Sequence, residues 1–169
     1  MIPTYYRNLG VYYEKKGDYT RALSQYNKAI NTIEREPKEY KVFVTYVSAL
    51  LKELDRIYDR KTRWPDKEKS DELNICRCYI EIARNKAPWF ADVYIKSILL
   101  AAYEYVITAQ KGLSEDQLYR IEDMVCIDTN TQSIMGEEHK ARYDFAIDRF
   151  EKAKQYVRKM QQKRAQTAP

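Results

Sequence analysis

Residues 3–36 hold two helical periods on either side of a single glycine, and no other feature restricts the fold of this chain as strongly. Tyr6, Leu9, Gly10 and Tyr13 recur at helical spacing up to Gly17, and Ala22, Tyr26, Ala29, Ile30 and Ile33 do so after it. Pro3 stands at an early helical position and Gly17 just past the end, the usual asymmetry of helix starts and stops. Asp18 is placed to cap the next helix. A turn this short joins two helices only as an antiparallel hairpin.

The rest of the chain follows the same style. With 4 Gly and 5 Pro among 169 residues, it lacks the turn residues that tightly connected strands require. The periodicity predicts helices over residues 3–16, 19–36, 37–59, 66–86, 88–110, a short 114–125 and 137–163. Trp64 and Pro65 fall in a charged loop, residues 126–136 read as a long polar loop, and residues 165–169 are expected to fray. The expected fold is therefore all-α, about seven helices, in one domain spanning 1–164. Sixteen tyrosines against 4 Phe and 2 Trp supply apolar area with a hydroxyl at its edge, which suits half-covered helix faces.

With Pro3 as the first position of a 34-residue unit, Tyr6, Leu9, Gly10, Tyr13, Gly17, Tyr19, Ala22, Tyr26 and Ala29 fall on the pattern of the tetratricopeptide repeat, which residues 3–36 closely resemble. Glu34 departs from the pattern, standing where a proline is usual. Cys76, Ile80, Ala83 and Pro88 match the second-helix positions of another unit, so 37–88 and 89–160 resemble degenerate repeats. The resemblance implies antiparallel hairpins stacked as a short superhelix. The seventh helix either partners the fifth or closes the array as a cap.

Catalytic signatures are missing from the sequence. His139, the sole histidine, lies beside Glu137 and Glu138 with no nucleophile at a recognisable spacing. Cys76 and Cys78 would point about 200° apart on a helix, which does not suit a shared metal. Phosphate-binding and zinc-protease motifs are not found. The chain is expected to be no enzyme and to need no cofactor or metal.

The resemblance implies an interaction module, an adaptor or scaffold whose first helices line a groove for a peptide or amphipathic helix of a partner protein. In the first repeat the groove positions are Arg7, Val11 and Glu14, flanked by Thr4 and Lys15. Family members that clamp a terminal carboxylate use Lys and Asn one turn apart; Arg7 and Val11 leave that clamp incomplete. The fifth helix offers Ile95, Leu99, Ala102 and Tyr103 as an apolar groove surface or, alternatively, as ordinary core.

In the seventh helix Ala146, Phe150, Ala153, Val157 and Met160 form a heptad seam that could dock on the array or on a second copy as a homodimer. Residues 151–169 carry six bases and one acid, and the other 150 residues balance at 24 of each, so the net charge of +5 belongs to this tail. Arg149, Lys152, Lys159 and Lys163 form a candidate basic patch for nucleic acid, the less favoured partner. Three cysteines, no apolar leader and no membrane-length apolar run predict a cytoplasmic protein in a reducing compartment with no membrane contact.

Overall fold

The computed structural model describes residues 2–31, 64, 67–86, 88, 91–112, 114–130 and 136–167. These residues form six α-helices: α1 (Ile2–Lys15), α2 (Tyr19–Asn31), α3 (Ser70–Lys86), α4 (Ala91–Gln110), α5 (Glu115–Asn130) and α6 (Lys140–Thr167). Short 3-10 turns, Lys67–Lys69 and Glu137–His139, lead into α3 and α6. No strand occurs among the described residues. The helix predicted over 37–59 lies outside them.

Three residues both end α1 and start α2. Gly17 takes φ of +76°, its N–H donates to the Glu14 carbonyl at 3.0 Å, and the Asp18 N–H donates to the Tyr13 carbonyl at 3.0 Å. This pair of bonds is a Schellman motif, which needs a left-handed residue and so favours glycine. Asp18 then caps α2, its Oδ1 accepting the Arg21 N–H at 3.1 Å. The hairpin closes tightly because Gly10 faces the ring of Tyr26; a Cβ on Gly10 would lie 2.3 Å from Tyr26 Cε1.

Two cores share α4. The first joins Tyr26 and Ala29 of α2, Leu73 and Ile80 of α3, and Val93, Leu100 and Ile107 of α4. The second joins Ile98 and Val106 of α4, Leu118 and Val125 of α5, and Ala146, Phe150 and Val157 of α6. Because α4 is apolar around nearly its whole circumference, it can be stable only as the central helix, covered on every side. It runs antiparallel to α3, with Lys111 near its end bonded to Ser70. It runs in the same direction as α6, with Asp92 paired to Arg142 at 2.6 Å near both starts and Tyr105 edge-on to Phe150 farther along.

The heptad seam of the last helix is thus spent inside the chain, on α4, instead of on a second copy. Ala146, Phe150, Ala153 and Val157 are all buried there. Of the two placements expected for this helix, partnering the fifth is the one found. Two boundaries also move. The helix predicted to stop near Val125 continues to Asn130, and the last helix runs through Thr167, whose hydroxyl donates to the Lys163 carbonyl at 3.1 Å.

Tyr105 gives this half of the molecule an alkaline limit. Burial, followed by its bond to Glu122 at 3.0 Å and that carboxylate's charge, pushes its phenol up to about 12. A raised folded-state pKa contributes stability that is complete below the unfolded value of about 10 and disappears as pH rises toward 12. The wild type should therefore lose urea resistance between these pH values faster than Tyr105→Phe does. Parallel losses in the two proteins would refute this assignment.

Candidate functional site

Arg7, Val11 and Glu14 lie one helical turn apart along α1 and are all half-buried. Val11 packs against the first core. Glu14 accepts the Tyr26 hydroxyl at 2.8 Å, tying this side of α1 to the ring that fills the hairpin. Burial, reinforced by this acceptor, holds the Tyr26 phenol well above its ordinary value, so it stays a neutral donor. Arg7 carries the one buried side-chain polar atom among the described residues that lacks a hydrogen-bond partner, its Nε. Leaving such a donor unmatched costs on the order of 1–3 kcal/mol.

The fifth predicted helix turns out differently. Ile95 is 1% exposed and Tyr103 2%, Ala102 is fully buried, and Leu99 is wedged against both cores. These side chains are core, the second of the two readings open for them. A helix apolar on every side gives no stripe by which sequence could tell groove from core.

Trp64 fills the space beside Tyr103. It stands just before α3, edge-on to Tyr103 at 5.9 Å and tilted against Tyr156 at 6.1 Å. The Arg149 guanidinium lies 4.1 Å above the Trp64 ring and 5.7 Å from that of Tyr103. Cation–π stacking with the aliphatic stem buried explains why a charged residue is only 8% exposed. Arg149 is therefore withdrawn from the basic patch, and Lys152 is held by Asp148 at 2.8 Å. Lys159 and Lys163 remain exposed, together on one cleft.

Between α3 and α4 lies a second polar centre that pattern reading missed. Arg77 bonds both carboxylate oxygens of Glu104, the Ser97 hydroxyl at 2.8 Å and the Ser97 carbonyl at 3.2 Å. Burial raises the Glu104 pKa, and Arg77 opposes that shift. The signal was present: a carboxylate inside the most apolar helix requires a buried cation partner. Every polar atom named here finds its partner within the chain, which makes this a structural lock between helices.

No group of His, Cys, Asp and Glu among the described residues is arranged to hold a metal ion. Cys76 is buried, and burial pushes its thiol up, so it packs as a neutral core residue. His139, in the 3-10 turn that leads into α6, contacts Glu138 at 3.3 Å and Arg142 at 2.6 Å. No described helix is long and apolar enough to cross a membrane.

The hairpin with Gly10 against Tyr26, and Gly17 in its left-handed turn, has the geometry that the repeat pattern implies. A family model described as tetratricopeptide repeat matches residues 3–32. This chain carries a tetratricopeptide repeat. No curated protein and no solved structure matches it. Repeats of this family generally serve as interaction modules.

Proposed function

We propose that this chain is a non-catalytic protein-interaction module, an adaptor that receives a peptide or amphipathic helix of a partner on the face of α1. The tetratricopeptide repeat at residues 3–32 is the observation that carries this reading. Residues 37–88 and 89–160 are read as degenerate repeats that continue the array. Arg7 supports the reading, since its guanidinium makes no ion pair with any described residue while its Nε lacks an acceptor. Val11 adds apolar area beside it, and Tyr103 lies in the core on which Val11 packs. The basic end of α6 is less suited to nucleic acid than its sequence implies, because Arg149 is buried against Trp64.

Affinity capture from a cytosolic extract tests this. Arg7→Glu and Val11→Asp should each reduce recovery of the bound partner about tenfold or more, the effect of about 1.4 kcal/mol at an interface. Ser24→Asp on the exposed side of α2 should leave it unchanged. Equal recovery with all three folded variants would overturn the proposal.

A further inference from the structure

Beyond Val157, α6 runs on past the second core: Met160 is half-buried and residues 161–167 are exposed. An open cleft of about 350 Å³ follows this stretch, lined among the described residues by Tyr156, Lys159, Met160, Gln162, Lys163 and Gln166. Tyr156 and Met160 supply an apolar floor continuous with the core. Lys159 and Lys163, one helical turn apart, stand beside it, and neither forms an ion pair with a described residue. Arg158 projects elsewhere, lining a different cleft with Glu115, Asp116 and Glu122.

We propose that this cleft binds an acidic peptide segment carrying a large apolar side chain, with the apolar group on Met160 and Tyr156 and its carboxylates on Lys159 and Lys163. Charge complementarity selects the occupant. Between Lys152 and Thr167 the helix carries no acid, so neither lysine has a carboxylate one turn away on its own helix. A ligand with only charge would leave the apolar floor in water, and one with only apolar groups would bury the lysine heads unpaired. Nucleic acid fits less well, because the Tyr156 ring is already packed on Trp64 and is not a free platform for base stacking. Peptide binding here is independent of the α1 face.

The test is fluorescence anisotropy on the full chain, with a short labelled peptide of Asp and Glu around a Leu-Phe pair. It should bind the wild type and weaken as salt rises. Lys159→Glu with Lys163→Glu should weaken it about tenfold or more, and Met160→Ser severalfold. Arg7→Glu should bind it as the wild type does, which separates this result from that of the α1 face. A counterpart with Lys in place of Asp and Glu, one with Ser in place of Leu and Phe, and a single-stranded oligonucleotide should all bind more weakly. Absence of binding, unchanged affinity in the lysine and methionine variants, or tighter binding of any comparison ligand would overturn the proposal.

Discussion

Gly10→Ala should destabilise the protein by about 2–3 kcal/mol, although alanine is the better helix former by about 1 kcal/mol. The new methyl would sit 2.3 Å from Tyr26 Cε1, far inside contact distance. A flexible neighbour could swing away, but the Tyr26 ring is fully buried and its hydroxyl is tied to Glu14. Relief therefore requires the two helices to separate, which loosens the hairpin on which the α1 face depends. Urea unfolding measures the loss. In a Tyr26→Ala background the same change should be neutral or slightly stabilising, since the clash is gone and only helix propensity remains. A Gly10→Ala protein more stable than the wild type would show that α1 and α2 do not meet as described.

The second large effect belongs to Arg77. Arg77→Met should cost about 3–5 kcal/mol at neutral pH, because it leaves the Glu104 carboxylate in the α3–α4 contact without its cation. Glu104 already titrates above the ordinary carboxylate range through burial, and loss of Arg77 raises it further. A raised folded-state pKa makes stability fall as pH rises above the unfolded value of about 4.3, so the defect should be largest at pH 7 and shrink toward pH 4. Arg77→Met combined with Glu104→Leu should recover most of the loss, as apolar replacement of a buried pair often does. A defect that is independent of pH, or a double variant as unstable as the single one, would contradict the pairing.

The first hairpin could be read almost entirely from sequence. Its small residues, aromatics and turn glycine fall on the repeat pattern, and the approach of Gly10 to Tyr26 gives one of these positions its physical reason. The all-α class followed from the scarcity of turn residues and the helical periods. The core of α4 was less legible because residues such as Ile95 and Leu100 surround the helix without a stripe. Asp128, Thr129 and Asn130 are weak helix formers, so the last turn of α5 read as loop although the helix reaches Asn130.

Longer-range partners were the least legible. Arg149 sits among other cations in sequence, and only the fold brings it onto Trp64, which precedes α3. Glu104 likewise finds Arg77 across two helices. At the candidate site, Arg7, Val11 and Glu14 followed from one helical period, but the bond between Glu14 and Tyr26 needed the hairpin itself. Both lysines of the α6 cleft were visible as charge, while their apolar floor depends on where the second core ends.

Site-specific photo-crosslinking tests the central claim, that α1 of the tetratricopeptide repeat is the partner-binding face. A photoreactive phenylalanine is placed at position 7 on α1 and, separately, at Ser24 on the exposed side of α2. The expected result is a discrete crosslinked partner from position 7, competed by unlabelled wild-type protein, and none from position 24. The same partner captured equally from both positions, or from position 24 alone, would contradict it.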